Sequence, residues 1–154
     1  MKIMVSACLI GEKVKYSGGS NFSEPLSAFL RGHAVIPVCP EILGGLPIPR
    51  EPAEIVNGTV RDRTGRSVDA EFRLGAQAVL KLAEKEKPEL IVLQSRSPSC
   101  GVREIYDGSF SGRKIPGTGI TAQLLLEHGF RVIDVGDLSL YLEAGNALLS
   151  AEQS

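Results

Sequence analysis

The sequence lacks the features that would indicate a membrane protein, an exported protein or a nucleic-acid-binding protein. No apolar run approaches the roughly 20 residues that a membrane-spanning helix needs, and the first apolar stretch breaks at residues 11–13, too early for an export signal. Seventeen basic and eighteen acidic side chains leave a net charge of −1. Such a balance creates no broad positive field for nonspecific attraction of nucleic acid or anionic lipid. We therefore expect a cytoplasmic protein without a membrane or polyanionic partner.

Cysteine and histidine are also scarce, with three and two residues respectively. An odd number of cysteines in a chain without an export signal argues against a disulfide framework. No two cysteines have the Cys-x-x-Cys spacing of a thioredoxin-like dithiol. Two explanations remain: burial as free thiols, which is common for single cysteines, and metal binding. The positions of the cysteines relative to the predicted strands bear on this choice.

Short apolar runs alternate with longer helical patterns, as they do in βαβ proteins. The chain has 154 residues and 43% hydrophobic content, which is enough for one domain over residues 1–154. Runs rich in Val, Ile and Leu, typical of strands buried on both faces, predict strands at residues 2–7, 34–38, 90–94 and 131–135. We predict a Rossmann-like, doubly wound α/β fold. It would have a mostly parallel sheet of about four to five strands, with helices on both faces.

The segments between and after these strands have helical periodicity. Helices are predicted at residues 23–31, 68–87, 120–128 and 138–150. The clearest has apolar residues at spacings of three and four and ends at Pro88, while Ser23 is a candidate N-cap for the first. Asn57-Gly58 predicts a β-hairpin, and Asp107 is predicted to form a turn.

Each cysteine lies shortly after a predicted strand. Cys8 follows the first, Cys39 follows the second, and Cys100 lies six residues beyond the third. Right-handed connections give the strand order second, first, third, fourth, which places Cys8 between the other two. The carboxyl ends of parallel strands share one edge of the sheet, and neighbouring strands are about 4.8 Å apart. We therefore predict that the three thiols meet at one site.

Three converging thiolates suit an iron-sulfur cluster better than zinc. A structural zinc site usually takes four protein ligands, whereas His33 and His128 are both expected at the opposite edge of the sheet. A 4Fe-4S cluster normally has one cysteine per iron, so three cysteines would leave one iron open to substrate. Electron transfer would favour a shielded cluster with four cysteines. We predict that Cys8, Cys39 and Cys100 hold a 4Fe-4S cluster with one open iron.

The segments around the cysteines carry a resemblance to a known family. The most specific are Ser-Ala-Cys-Leu-x-Gly at residues 6–11, Cys-Pro-Glu-x-x-Gly-Gly-Leu-Pro-x-Pro-Arg at 39–50 and Arg-Ser-Pro-Ser-Cys-Gly at 96–101. From about residue 2 to residue 134 the chain resembles a small bacterial and archaeal domain family that includes the TudS-type thiouracil desulfidases. The resemblance implies a cluster whose free iron binds the sulfur of a thiolated uracil. Desulfuration would release sulfide without net redox change.

Three polar residues beside the cysteines are candidates for catalysis. Glu41, two residues after Cys39, is the candidate general acid and base; the alternative is a carboxylate that caps backbone N–H groups. Ser97 and Ser99 flank Pro98 and are candidates for orienting substrate or bonding to cluster sulfurs, with turn stabilisation as the alternative. Ser97 also matches the family position that the resemblance associates with catalysis.

Eight residues in the surrounding loops are candidates for substrate contact: Tyr16, Gly18, Gly19, Arg50, Arg96, Gly117, Thr118 and Gly119. Tyr16, in a glycine-containing loop, is a candidate to stack on a pyrimidine. Arg50 and Arg96 are candidates to pair with a nucleotide phosphate or with loop carboxylates. The 117–119 segment begins a predicted helix, so its N–H groups are placed either to bind a phosphate or carbonyl or to form an ordinary helix start.

Two other functions remain open at this point. The same cysteines would suit a cluster-binding sensor, or a carrier that delivers sulfur or iron without small-molecule turnover. A metal-free nucleotide-binding module would be consistent with the fold class alone. Residues 94–95 are Gln-Ser, where the family often has charged residues. The free base, the nucleoside and the nucleotide are all candidate substrates.

Overall fold

The computed structural model describes residues 1–153, and side-chain environments for residues 1–145. The strands are β1 (Lys2–Ser6), β2 (Ala34–Val38), β3 (Ala53–Val56), β4 (Thr59–Asp62), β5 (Leu90–Leu93), β6 (Glu104–Tyr106), β7 (Lys114–Pro116) and β8 (Val132–Asp134). The helices are α1 (Glu24–Leu30), α2 (Pro40–Leu43), α3 (Asp69–Glu86), α4 (Ile120–Glu127) and α5 (Leu138–Gln153). In this part of the chain, no helix is both long enough and apolar enough to span a bilayer.

The central sheet has four parallel strands in the order β2-β1-β5-β8. This confirms the predicted α/β class and the predicted order, second, first, third, fourth. The order follows from right-handed crossovers, which carry the chain to one side of β1 first and to the other side afterwards. The carboxyl ends of β2, β1 and β5 therefore lie side by side.

Two hydrophobic clusters cover the two faces of the sheet. Ile3 and Val5 of β1 pack with apolar residues of α1 and the start of α5, whereas Met4 packs with residues of α3 and α4. Successive strand side chains point to opposite faces, so an uninterrupted apolar run is what two covered faces require. β5 follows the same rule because Leu90 through Leu93 are all fully buried.

The outer strand β2 is less buried than the sequence predicts. Its residues run from exposed at Ala34 to buried at Val38, and Pro37 is exposed. A proline lacks the N–H that a central strand needs, so it is tolerated at an edge. The predicted burial on both faces therefore holds for β1 and β5 but is wrong for this edge strand.

The elements outside the sheet were predicted unevenly. Ser23 caps α1 by accepting a hydrogen bond from the Leu26 N–H at 3.3 Å, and Asn57-Gly58 joins β3 to β4, as predicted. Asp107 forms a turn, also as predicted, by accepting from the Ser109 N–H at 2.9 Å. The two strands beside that turn, β6 and β7, and the one-turn helix α2 were not predicted, because three- and four-residue elements leave little periodic signal.

Candidate functional site

The three cysteine loops line one cavity of about 690 Å³ at the carboxyl edge of the sheet. Cys8 lies in a 3-10 turn directly after β1, Cys39 is the N-cap residue of α2 directly after β2, and Cys100 lies in the loop after β5. All three are free thiols. The structure thus brings the cysteines to one site, as the strand order predicts.

Each thiol has a distinct set of polar neighbours. The Asn21 side-chain amide donates to Cys8 Sγ at 3.5 Å, and the Cys39 thiol faces the carbonyl of Val14 at 4.0 Å. Cys100 is buried, and its Sγ lies 3.9 Å from the Ser99 hydroxyl oxygen. None of these contacts is a short charge-assisted bond of the kind that strongly favours a thiolate.

Burial controls the acidity of the thiols. Desolvation raises the pKa of Cys8 and of Cys39, and it raises the pKa of Cys100 to about 12. The negative charge of Glu41 adds to the increase in the pKa of each thiol. Metal binding requires thiolates, so a metal must displace these protons on binding.

The donor set fits a cluster better than a single metal ion. Within the described residues, no three His, Cys, Asp or Glu side chains are grouped closely enough to hold one metal ion. In a 4Fe-4S cluster each cysteine binds a different iron. Three thiols spaced around one cavity therefore suit a cluster, even though they do not meet at a single point. His33 and His128 contribute nothing here: the first contacts the Met1 amino group at 2.9 Å and the second contacts the Leu124 carbonyl at 2.9 Å.

Glu41 is held at the cavity by Arg50. The guanidinium contacts Glu41 Oε1 and Oε2, each at 3.4 Å, and donates to the carbonyls of Val14 at 2.9 Å and Pro47 at 3.2 Å. Only 6% of the Arg50 side chain is exposed. Of the two sequence-based alternatives for Arg50, phosphate or loop carboxylate, the structure therefore shows the carboxylate pair.

The two candidate serines have different places. Ser97 lines the cavity, and its hydroxyl oxygen accepts hydrogen bonds from the N–H groups of Ser99 at 3.0 Å and Cys100 at 3.1 Å. Ser99 is fully buried, and its hydroxyl pairs with that of Thr121 at 3.0 Å. Ser99 does not line the cavity, although its hydroxyl oxygen lies 3.9 Å from the Cys100 Sγ. Its predicted catalytic role stays a prediction.

The glycine-rich segment 117–119 does not reach the cavity either. The Gly119 N–H donates to the Gly101 carbonyl at 2.7 Å, and the first amides of α4 donate to Pro98 and Ser99. A Cβ on Gly119 would lie 2.5 Å from the Ser99 carbonyl carbon. The Gly119 N–H and the first amides of α4 thus join α4 to the Cys100 loop. None of Gly117, Thr118 and Gly119 lines the cavity, and their predicted ligand contact stays a prediction.

The loop after Cys8 reaches the cavity at only one of its predicted positions. Tyr16 lines the cavity, with 41% of its surface exposed. Gly18 and Gly19 instead close a turn, in which the Gly18 N–H donates to the Lys15 carbonyl at 2.8 Å. Arg96 is exposed at the cavity rim, where its left-handed backbone, with φ of +64°, follows the end of β5.

Sequence reasoning missed several residues that line the cavity. Ser6 accepts from the Gln94 N–H at 3.0 Å and hydrogen-bonds to the Cys100 thiol, which lowers the Cys100 pKa against the larger effect of burial. The Ser-Ala-Cys motif could have indicated this serine. Asn21 and Glu54 lie outside the three cysteine motifs, and no local signal marks them as cavity residues.

Comparison with known proteins agrees with this geometry. A family model described as 2-thiouracil desulfurase matches residues 3–137. The Bacillus subtilis (strain 168) protein YbbK, described as uncharacterized, is 39% identical over 147 residues, which cover 89% of this chain and 97% of YbbK. A solved structure of TudS, described as a [4Fe-4S]-dependent thiouracil desulfidase, superposes with a TM-score of 0.85. It is 40% identical, and the match covers 95% of this chain and 98% of TudS. The chain therefore belongs to the 2-thiouracil desulfurase family.

Proposed function

We propose that this protein is a 4Fe-4S-dependent desulfidase that removes sulfur from a thiolated uracil or its nucleoside or nucleotide. The observation that carries the proposal is the convergence of Cys8, Cys39 and Cys100 on one cavity. The likeness to TudS supports the proposal because it extends over nearly the whole chain. The three cysteines would hold the cluster.

The proposed reaction is a hydrolysis. When bound, a cluster with an open iron supplies a soft Lewis acid for the thiocarbonyl sulfur. Water adds its oxygen to the carbon, the C–S bond breaks, and sulfur leaves with the two protons of that water as hydrogen sulfide. A thiouracil plus water thus gives uracil plus hydrogen sulfide, and neither carbon nor sulfur changes its oxidation state. No external reductant is needed.

Glu41 is the proposed proton carrier. Its carboxylate lines the cavity and is the acidic group whose charge acts on all three thiols. The Arg50 contacts hold both carboxylate oxygens in place, so the group is oriented before substrate binds. Glu41 would accept a proton from the attacking water and return it to the departing sulfur.

Ser97 and Arg96 are proposed to bind substrate. The oxygen of Ser97 already accepts from two amides, which leaves its hydroxyl proton as the group to donate to a pyrimidine carbonyl or ring nitrogen. Arg96 lines the cavity and would contact a ribose or phosphate that extends out of it. A cavity of about 690 Å³ lies within the size range of small-molecule sites.

Sulfide release tests the proposal. Anaerobically purified protein is mixed with 2-thiouracil, 4-thiouracil or 4-thiouridine monophosphate, and free sulfide and uracil products are measured together. Equal amounts of both products would support hydrolysis. A stable cluster with no sulfide release from any of these compounds would instead favour a sensor or carrier.

A further inference from the structure

A buried carboxylate outside the cysteine loops holds one wall of the cavity. Glu54 lies in β3 with only 8% of its surface exposed. Its Oε1 accepts hydrogen bonds from the N–H groups of Gly108 at 2.9 Å and Phe110 at 3.2 Å. Both amides belong to the connection between β6 and β7, residues 107–113, which we call the roof loop. One side chain thus joins two segments that are more than 50 residues apart.

A second contact fixes the roof loop against the same strand. Gly108 has a left-handed backbone, with φ of +93°, and a Cβ there would lie 2.6 Å from the Ile55 carbonyl oxygen. Only glycine allows this close approach of two backbones. The loop is therefore seated directly on β3, beside the side chain that binds it.

Two residues of the roof loop line the cavity, Phe110 and Gly112, and of these only Phe110 carries a side chain. Its backbone is left-handed, with φ of +56°, a conformation that a bulky residue rarely adopts. Such outliers concentrate at ligand sites and persist where the surroundings impose them. Here the Glu54 carboxylate binds the N–H of the strained residue, and Phe110 lines the same cavity as Cys100. Glycine would adopt this left-handed turn conformation more easily than the aromatic residue that occupies the position.

We propose that Phe110 contacts the face of the substrate pyrimidine, and that Glu54 is a positioning residue that fixes the roof loop to present this ring. The inference rests on the proposed function, since it assumes a thiolated pyrimidine in the cavity. Aromatic rings stack on nucleobases through their π faces. Tyr16, the stacking candidate from sequence, is more exposed, and the Lys15 ammonium lies 5.9 Å from its ring centre.

The test uses the cluster-loaded protein and separates binding from chemistry. For each variant, iron and labile sulfide content, the Kd for 2-thiouracil by calorimetry, and kcat and KM for sulfide release are measured. We expect F110L to weaken binding about tenfold or more, with kcat within a few-fold of wild type. F110Y should bind like wild type because it retains the aromatic face. Unchanged Kd and KM in F110L would overturn the ring contact.

The Glu54 variants test the positioning role. E54Q keeps an oxygen that can accept from both amides, whereas E54A removes it. We expect E54A to raise KM as F110L does and to speed hydrogen exchange at the Gly108 and Phe110 amides, while E54Q does neither. Glu127, an exposed carboxylate on α4, gives the control E127A for loss of one negative charge, and it should match wild type.

A double variant decides whether Glu54 acts through Phe110. If it does, adding E54A to F110L should raise KM no further. Additive losses, or an E54A enzyme with wild-type KM, would overturn the positioning role. If wild-type protein binds 2-thiouracil but releases no sulfide, the proposed function fails while the Kd and exchange measurements still test the inference.

Discussion

The close crossing of α2 and α3 gives a sharp test of how the fold positions the site. A Cβ on Gly75 of α3 would overlap the carbonyl oxygen of Pro40 and lie 2.7 Å from its carbon, and one on Gly44 would meet the Glu71 carbonyl in the same way. The two helices therefore touch backbone to backbone. Cys39 is the N-cap residue of α2 and Glu41 lies in its first turn, so any separation of the helices moves two groups of the site.

The G75A substitution sets two effects against each other. Alanine in a helix interior stabilises by about 0.5–1 kcal/mol relative to glycine, whereas overpacking typically costs about 1–3 kcal/mol. The obstruction is main chain rather than a flexible side chain, so the upper part of that range applies, and we expect a net loss of about 1–2 kcal/mol. For a chain of this length, Tm should fall by roughly 2–8 °C.

The matched control is G145A. Gly145 is also inside a helix, α5, but a Cβ there meets no atom of the described residues within 4 Å. Alanine should therefore leave Tm unchanged or raise it slightly. Calorimetric unfolding of both variants and wild type, with iron content after reconstitution, measures the effect. If G75A were as stable as G145A and kept full iron content, the close crossing would not position Cys39 and Glu41.

Three further predictions concern the catalytic group, the Cys100 loop and acid stability. E41Q should lose about 10²–10⁴-fold in kcat while keeping its iron, because the proton carrier is lost but the thiols are intact; wild-type turnover would remove Glu41 from the mechanism. G119A should lose iron, since its Cβ presses on the backbone of Ser99, whereas G117A meets only the Ile105 side chain and should keep it; equal iron in the two would contradict this. The Thr64 hydroxyl and, to a smaller extent, backbone N–H groups lower the pKa of Asp62 in the folded protein. The charged carboxylate therefore stabilises the fold at pH values above the pKa of the unfolded chain. This stabilisation is lost as the pH falls through the lower pKa of the folded protein. Between about pH 5 and 3, D62N should therefore lose less stability than wild type in urea unfolding, and parallel losses would refute the assignment.

The sheet could be predicted because its signals are local and its topology follows a general rule. Apolar runs mark β1 and β5, and the handedness of crossovers then fixes which strands are neighbours. Placing Cys8, Cys39 and Cys100 on one edge needs nothing more. The thiol-lined half of the site was therefore accessible from the sequence.

The opposite half of the site was not accessible, because it depends on contacts between distant residues. Glu54 and Phe110 are joined only once two short hairpins are placed over the cavity. β6 and β7 have three residues each and carry no clear alternation. The partner of the Gly119 N–H was not accessible for a related reason: it is the carbonyl of Gly101, a contact that no spacing reveals.

The most direct test of the central claim is iron and acid-labile sulfide content, with sulfide release from 2-thiouracil, after strictly anaerobic purification. Wild type should contain about four irons per chain and release sulfide. C8S, C39S and C100S should each lose iron and activity together, because each removes one of the three thiols of the cavity. Absence of iron in wild type even after reconstitution, or full iron and turnover in all three variants, would contradict the account.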